Sequence, residues 1–295
     1  MQKNDPRSLA KLTLAMIIFG SIGIFRRYIP LPSAALACFR GLSGALLLIA
    51  AAKVQKKTLN HRLGWKTVLG LAVTGALMGL NWIFLFEAYD RTTVATATLC
   101  YYMQPTIVML LSPLLFSEKL TAKKGVCVAL SLIGMILVSG LADSGGPGRS
   151  EMKGVLFGLT AAVLYASVVI MNKKLPGLDP WEKTLIQLLS AAAVLIPYLL
   201  LGKVSVAAAW TPMTAGMLLI VGVVHTGIAY ALYFGSMDGL KAQTVALMSY
   251  LDPIVALVLS ALILKERMTV YGVIGAVLII GAALLSEIEP KKDML

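Results

Sequence analysis

The stretch Leu99–Thr121, LCYYMQPTIVMLLSPLLFSEKLT, occurs a second time in the chain as Leu247–Thr269, LMSYLDPIVALVLSALILKERMT. At one fixed offset, identical residues occupy equivalent positions in and just before the two copies: Thr96 and Thr244, Tyr102 and Tyr250, Pro105 and Pro253, Ser112 and Ser260, Glu118 and Glu266, Thr121 and Thr269. Apolar helices match by chance because they draw on few residue types. Chance does not explain a Tyr-x-x-Pro motif and a Glu-x-x-Thr motif at the same spacing in both copies. The sequence therefore predicts an internal duplication.

The composition places the chain in a membrane. Of its 295 residues, 58% are hydrophobic and 14% are charged, whereas about a quarter of a soluble domain is charged. Apolar runs of about 20 residues, long enough to cross a bilayer core, recur along the whole chain. The first run has a basic flank but no small-x-small cleavage site, so we interpret it as a helix and not as a signal peptide.

We predict an all-α membrane protein with ten transmembrane helices. The predicted spans are residues 9–26, 33–52, 66–88, 93–116, 123–141, 153–172, 182–201, 214–237, 242–264 and 269–286. The segment Ala142–Ser150, ADSGGPGRS, is rich in glycine and polar residues, which is typical of a linker. The predicted units are therefore a first five-helix repeat, residues 1–141, a linker, residues 142–152, and a second repeat with its tail, residues 153–295.

Lysine and arginine are unevenly distributed between alternate loops. Seventeen of the 26 lie on the side of the two termini, eight lie on the other side, and Arg40 lies inside a span. The positive-inside rule then places both termini in the cytoplasm. Each repeat has an odd number of helices, so the second repeat is predicted to cross the membrane upside down relative to the first. Inverted repeats of this kind build many secondary transporters, which open a central site to each side in turn.

Several other functions are disfavoured by the residues. The net charge of +12 comes from short basic clusters between apolar runs, so it indicates loop anchors and no nucleic-acid partner. Cys38, Cys100 and Cys127 lie singly in apolar segments, which fits neither a metal site nor a disulfide framework. No P-loop is present, which argues against direct ATP drive. We expect no enzyme activity, cofactor or metal. An intramembrane enzyme and a non-transporting sensor are the rival classes.

The helix pattern and the repeated motifs together resemble the EamA-like branch of the drug/metabolite transporter superfamily. The resemblance covers nearly the whole chain and rests on two five-helix halves, each with Tyr-x-x-Pro followed by Glu-[Lys/Arg]-x-Thr, and on Arg40 after Pro32 in helix two. It implies that helices 1, 3, 4, 6, 8 and 9 surround the pathway, with helices 5 and 10 outside. The halves differ at Leu188, equivalent to Arg40, and at Asp252, equivalent to Gln104. We expect individual function at such asymmetric positions.

Asp252 is the strongest candidate for a residue that binds substrate or carries a proton. It lies ten residues into the predicted ninth span, hence about 15 Å along that helix and near the bilayer midplane. A carboxylate at that depth usually faces a cavity or a partner. Asp252 is therefore predicted to bind substrate and to carry a coupling proton, with a hydrogen bond to a neighbouring helix as the alternative. His225, at similar depth, is a second candidate proton carrier, or else hydrogen-bonds between helices.

Arg40 and a set of aromatic side chains complete the predicted substrate site. Arg40 is suited to bidentate binding of a carboxylate, with a structural ion pair as its alternative role. The cavity is predicted between the halves, on helices 3, 4, 8 and 9. The remaining candidate binding residues are Trp82, Tyr101, Tyr102, Tyr230, Ser249 and Tyr250. Aromatic rings beside Asp252 suit an organic cation, and the same rings with Arg40 suit a zwitterion.

The repeated prolines and Glu-x-x-Thr motifs have structural interpretations as well. Pro105 and Pro253 are predicted to kink their helices at mid-span, either to fit the shape of the bundle or as hinges beside the cavity. Glu118 and Glu266 are expected to pair with a neighbouring basic residue in a turn, and the threonine that follows is expected to cap the next helix.

The sequence as a whole predicts a secondary transporter of a small polar metabolite in a plasma membrane of prokaryotic type, the bacterial inner membrane. An exported amino acid or similar zwitterion is the first substrate hypothesis, with proton coupling as a further hypothesis, and a quaternary or other organic cation is the alternative. The lipid bilayer and the small molecule are the expected partners. Substrate identity, direction, coupling ion and oligomeric state are left open.

Overall fold

The computed structural model describes residues 5–56, 63–116, 121–139, 141, 147–175, 180–201, 210–237, 240 and 248–287. These residues form helices and short connections, with no strand among them. Six helical spans of the described residues are long and apolar enough to cross a membrane, and shorter apolar helices accompany them. The chain is therefore a multi-pass membrane protein.

The helices are numbered in chain order. They are α1 (Pro6–Arg27), α2 (Ser33–Val54), α3 (Trp65–Arg91), α4 (Val94–Tyr101), α5 (Gln104–Phe116), α6 (Ala122–Val138), α7 (Arg149–Lys173), α8 (Pro180–Leu201), α9 (Pro212–Ile220), a π-helix (Val221–Ile228), α10 (Ala229–Met237), α11 (Leu251–Ile263) and α12 (Val270–Glu287). The helix α9, the π-helix and α10 follow one another without a break, and together they cover the predicted span 214–237.

Short polar side chains begin several of these helices. The Thr121 hydroxyl accepts from the Lys124 backbone N–H at 3.3 Å, and the Thr269 hydroxyl accepts from that of Gly272 at 3.1 Å. Both predicted threonine caps are thus confirmed. Asp5 caps α1, where hydrogen bonds from the Ser8 side chain and backbone hold the pKa of its exposed carboxyl below its ordinary value.

The predicted single span 93–116 is two helices. The chain leaves helical geometry at Tyr102 and Met103, between α4 and α5, and it does so again at Tyr250, just before α11. Pro105 and Pro253 are consequently not at mid-helix, as the sequence predicted, but in the first turn of α5 and α11. Proline is tolerated there because the backbone N–H it lacks would have no helical partner.

The first helix of the second repeat begins earlier than predicted. Helix α7 begins at Arg149, inside the predicted linker, and the Glu151 carboxylate accepts from the Gly148 backbone N–H at 2.8 Å to fix that start. Residues 142–146 of the linker, and 242–247 of the predicted ninth span, lie outside the described residues. The three cysteines are buried and unpaired, as expected of packing residues.

The packing of the helices has a two-fold pattern. Helix α1 packs on α10 and α11, and its equivalent α7 packs on α3, α4 and α5. Helix α2 packs on the π-helix, and its equivalent α8 packs on α3. Helices α2 and α8 pack on each other, as do α6 and α12. Exchanging the first repeat for the second leaves this set of neighbours unchanged, which is what a two-fold relation between equivalent halves requires.

Candidate functional site

A cavity of about 420 Å³ lies between the two halves, within the size range of small-molecule sites. It receives side chains from α1, α2, α3, α4, α7, α8, α10 and α11, while none of its lining residues comes from the described parts of α6 and α12. The lining residues are Phe19, Ile22, Arg40, Met78, Trp82, Leu85, Tyr89, Thr98, Tyr101, Tyr102, Tyr165, Val168, Asn172, Lys183, Thr184, Gln187, Tyr230, Tyr233 and Asp252. The charged groups of this set are Arg40, Lys183 and Asp252.

Arg40 reaches the cavity from α2 and is held in place by the π-helix. Its Nε donates to the Thr226 hydroxyl at 3.3 Å, and that hydroxyl donates to the Val221 carbonyl, five residues earlier, at 3.1 Å. The guanidinium stacks over Trp82, 4.7 Å from the ring centre. Although Arg40 is buried, no carboxylate of the described residues lies within 4.0 Å of it. The described residues therefore do not form the structural ion pair that was the alternative role for Arg40.

Asp252 is the second residue of α11 and lines the same cavity. The Tyr102 hydroxyl lies close to its side chain. The carbonyl oxygen of Asp252 abuts Gly20 of α1, where an added Cβ would lie only 2.5 Å away. The next residue, Ser21, hydrogen-bonds to the π-helix that holds Arg40. The carboxylate of Asp252 and the guanidinium of Arg40 thus lie at similar depth in one cavity without forming an ion pair.

The two Tyr-x-x-Pro motifs meet across the interface between the halves. The rings of Tyr102 and Tyr250 lie 6.3 Å apart, and the Tyr102 hydroxyl also lies 3.3 Å from the Ser249 carbonyl oxygen. Pro253, four residues after Ser249, has no N–H with which to pair that carbonyl. A side chain of the first half therefore donates to a backbone carbonyl of the second half that cannot receive a hydrogen bond from Pro253, as membrane helices require.

Aromatic rings form much of the remaining wall. Tyr101 packs edge-to-face on Tyr102 at 5.8 Å and lies 5.7 Å from Tyr165, while Phe19 lies 5.4 Å from Tyr230. The structure thus brings Arg40, Trp82, Tyr101, Tyr102, Tyr230 and Asp252 to one cavity. Of the other predicted binding residues, Ser249 and Tyr250 lie behind this surface and are not among the lining residues.

His225 lies outside the cavity lining. It is buried in the π-helix, its Nε2 is 2.9 Å from the Ser21 hydroxyl, and its ring packs edge-to-face on Phe25 at 4.5 Å. This is the hydrogen bond between helices that the sequence offered as its alternative role. The proton-carrying role of His225 stays a prediction.

One end of the cavity was missed by sequence reasoning. Where α7 ends and α8 begins, the cavity is lined by Asn172, Lys183, Thr184 and Gln187, and we name this region the Lys183 end. The Lys183 ammonium donates to the Asn172 carbonyl at 3.2 Å. The resemblance had named helices 1, 3, 4, 6, 8 and 9 as surrounding the pathway, and the structure adds lining residues from helices 2 and 7. A signal was present, because Lys183, Thr184 and Gln187 recur at helical spacing on one face.

The opposite end of the bundle carries ion pairs between helices, and we name it the Arg27 end. One oxygen of Glu266 accepts from Arg27 at 2.8 Å, and the other accepts from the Val94 backbone N–H, at the start of α4, at 2.8 Å. Arg26 of α1 pairs with Asp90 of α3. The sequence predicted that Glu266 would pair with the adjacent arginine. Instead, Glu266 joins the second half to two helices of the first.

Comparison with known proteins gives one consistent picture. Residues 8–140 and residues 152–287 each match the sequence model of the EamA-like transporter family. The chain is 29% identical over 290 residues to the "Uncharacterized transporter YxxF" of Bacillus subtilis (strain 168), covering 97% of this chain and 91% of that protein. It is 28% identical over 246 residues to the "Probable amino-acid metabolite efflux pump" of Escherichia coli (strain K12), covering 80% and 78%. A solved crystal structure shares its fold, with a TM-score of 0.67 at 21% identity over 96% of this chain and 97% of that one.

Proposed function

Since the chain belongs to the EamA-like transporter family, we propose that it is a secondary transporter that exports a small amino acid or similar zwitterion across the plasma membrane by alternating access. The name of the Escherichia coli relative, a probable amino-acid metabolite efflux pump, supports this substrate class and direction. The geometry of the cavity supplies the main argument.

The observation that carries the proposal is the pair of unmatched opposite charges in the cavity, Arg40 and Asp252. A buried guanidinium without a carboxylate partner is costly, because burial removes the hydration that stabilises its charge. A substrate carboxylate would complete the planar fork of Arg40 with two hydrogen bonds. The substrate ammonium group would pair with the Asp252 carboxylate. A zwitterion thereby supplies both missing partners at once.

Alternating access follows from the duplicated architecture. Two matches to one family model and a two-fold packing pattern support two equivalent five-helix halves, related in this proposal by an axis in the membrane plane. In the proposed orientation both termini and the Lys183 end face the cytoplasm, and the Arg27 end faces outward. The contacts of Glu266 with Arg27 and Val94 would then close the outer side, and exchanging the conformations of the halves would open it.

Proton coupling is assigned to Asp252. Its ionised carboxylate holds the ammonium group of a substrate, whereas its protonated form is neutral and does not. Proton and substrate therefore compete for one group, and this competition gives antiport as the cavity opens to each side. The Tyr102 hydroxyl beside Asp252 is placed to hydrogen-bond to either form of the acid.

A quaternary or other organic cation is the second candidate substrate. The aromatic wall favours it, because tyrosine and tryptophan faces attract cations. Two features weigh against it. Among the described lining residues, two side chains are cationic, Arg40 and Lys183, and one is a carboxylate, that of Asp252. The Trp82 ring is also already covered by the Arg40 guanidinium.

The test is counterflow in proteoliposomes with purified protein. Labelled alanine stands for a small zwitterion and labelled choline for a quaternary cation, each with and without an imposed pH gradient. We expect alanine counterflow, driven uphill by the gradient in the wild type but not in Asp252→Asn. Counterflow of choline alone would establish the second candidate. Uphill transport by Asp252→Asn would contradict proton coupling through this residue.

A further inference from the structure

The Lys183 end of the cavity holds a cation for which the proposed zwitterion supplies no partner. Lining residues carry three charges, those of Arg40, Lys183 and Asp252. A simple zwitterion pairs its carboxylate with Arg40 and its ammonium with Asp252. Among the described residues, no carboxylate then pairs with Lys183. Glu182, its neighbour in sequence, is buried but is not among the lining residues, and these two described residues form no ion pair within 4.0 Å.

The polar groups around Lys183 are held in fixed positions. Both N–H donors of the Gln187 amide are used, one on the Thr74 hydroxyl and one on the Asn172 side-chain oxygen, each at 2.8 Å. Gln187 and Thr184 are buried, and both line the cavity. One hydrogen bond of the Lys183 ammonium goes to the Asn172 backbone carbonyl at 3.2 Å. An ammonium has three donors, so two are left for a ligand.

The register of α2 against α8 gives the distance of this cluster from Arg40. Gly41 lies against the Leu188 carbonyl, and the Trp181 indole N–H donates to the Leu48 carbonyl at 3.2 Å. The helices therefore run antiparallel in one register over seven residues. In that register Lys183 lies level with a position six residues beyond Arg40, which is about 9 Å along α2. The flexible four-carbon stem of lysine lets its ammonium approach a ligand held by Arg40.

We propose that the Lys183 end is a subsite for a second acidic group, and that the preferred substrates are amino acids with an anionic side chain, of the dicarboxylic class. This inference rests on the proposed function, because it takes the α-carboxylate on Arg40 and the α-ammonium on Asp252. A substrate with one further carboxylate has a net charge that balances the net charge of the lining. Its side-chain carboxylate accepts hydrogen bonds from Lys183.

The experiment compares glutamate with glutamine, which has the same length but an uncharged side-chain amide. Counterflow of labelled substrate is measured in proteoliposomes, with unlabelled glutamate, glutamine and alanine as competitors. The variants are Lys183→Met, which keeps most of the apolar stem, Lys183→Arg, which keeps the charge, and Lys174→Met. Lys174 is an exposed lysine near the same end of α7 that does not line the cavity.

The wild type is expected to prefer glutamate over glutamine by about tenfold or more, the size expected for a charged hydrogen bond. Lys183→Met should reduce that ratio to near one, mainly by weakening the binding of glutamate. Lys183→Arg and Lys174→Met should retain the ratio. The subsite is refuted if the wild type has no preference for glutamate, or if Lys183→Met keeps that preference.

The same assay separates failure of the subsite from failure of the proposed function. Transport of alanine and glutamine without any preference for glutamate would overturn the subsite and leave a zwitterion transporter. Transport of none of the three amino acids by folded protein, judged by a monodisperse profile on size-exclusion chromatography, would overturn both.

Discussion

Helices α2 and α8 are equivalent in the duplication and pack on each other, but they carry different groups at the equivalent position. In α2 this residue is Arg40, stacked on Trp82 and bonded to Thr226 of the π-helix. In α8 it is Leu188, which is fully buried and is not among the cavity-lining residues. The reverse holds for the two Tyr-x-x-Pro motifs, where the second half has Asp252 and the first half has Gln104.

The comparison extends to the helices that α2 and α8 pack on. Arg40 rests on a π-helix, whereas the equivalent partner of α8 is α3, an uninterrupted α-helix. Single π-helical segments inside α-helices occur frequently at functional sites. The repeated residues, such as the paired tyrosines and prolines, hold the halves together. Two of the three charges of the described cavity lining, those of Arg40 and Asp252, come from positions that differ between the halves, one from each half.

The largest effect is expected from making the halves alike with Arg40→Leu. Loss of a bidentate charged interaction should lower the transport efficiency for alanine about 100-fold. Arg40→Lys, which keeps the charge but not the planar fork, should show a smaller loss. The measurement is the initial rate of counterflow over a range of alanine concentrations.

Leu188→Met is the matched control for Arg40→Leu. It conserves volume at the equivalent position of the other half, so transport should stay near the wild-type rate. Equal losses in Arg40→Leu and Leu188→Met would mean that the crossing of α2 and α8 is sensitive to any change. Arg40 would then have no special part in binding.

The next effect concerns the shared scaffold. An added Cβ at Gly20 of α1 would lie 2.5 Å from the Asp252 carbonyl, and one at Gly158 of α7 would lie 2.7 Å from the Cys100 Cβ. Each contact joins the first helix of one half to the Tyr-x-x-Pro region of the other half. Gly20→Ala and Gly158→Ala should each lower the free energy of unfolding by about 1–3 kcal/mol through overpacking.

Thermal unfolding in detergent tests this prediction, with Gly216→Ala of α9 as the control. No atom lies within 4 Å of a Cβ added at Gly216, so that variant should match the wild type. If one of the two tight glycines tolerates alanine as well as Gly216 does, the helix contacts of the two halves are not equivalent in energy.

The smallest effect is expected from Tyr102→Phe. This change removes the hydroxyl that lies between the Ser249 carbonyl and the Asp252 side chain and so joins the two halves. Loss of one hydrogen bond should lower the free energy of unfolding by about 1 kcal/mol. Tyr198→Phe, at an exposed tyrosine of α8, is the control and should leave it unchanged. Equal stability of the two variants would show that the hydroxyl of Tyr102 contributes nothing to the contact.

Much of this architecture could be predicted from repeated residues. The two Tyr-x-x-Pro motifs predicted a duplication, and each lies at a helix break between the halves. Arg40 and Asp252 were identified because charged residues are rare inside apolar spans, and both line the cavity. Such predictions succeed where a residue is expensive to bury, since the cost then restricts where it can lie.

Other features could not be predicted, for physical reasons. A π-helix differs from an α-helix by one extra residue per bulge, and the apolar run 221–228 has no pattern that distinguishes them. The side that His225 faces depends on this local unwinding. Lys183 resembles the other lysines that flank spans, and only the packing of α7 and α8 brings it to the cavity.

The central claim is that Arg40 holds a carboxylate and Asp252 holds an ammonium group of one substrate. Titration calorimetry tests it most directly, with alanine, alaninamide, which lacks the carboxylate, and propionate, which lacks the amine. The wild type should bind alanine at least about tenfold more tightly than either analogue. Arg40→Leu should no longer prefer alanine to alaninamide but should still prefer alanine to propionate. Asp252→Asn should no longer prefer alanine to propionate but should still prefer alanine to alaninamide. Equal binding of all three ligands by the wild type, or loss of both preferences in each variant, would contradict the assignment.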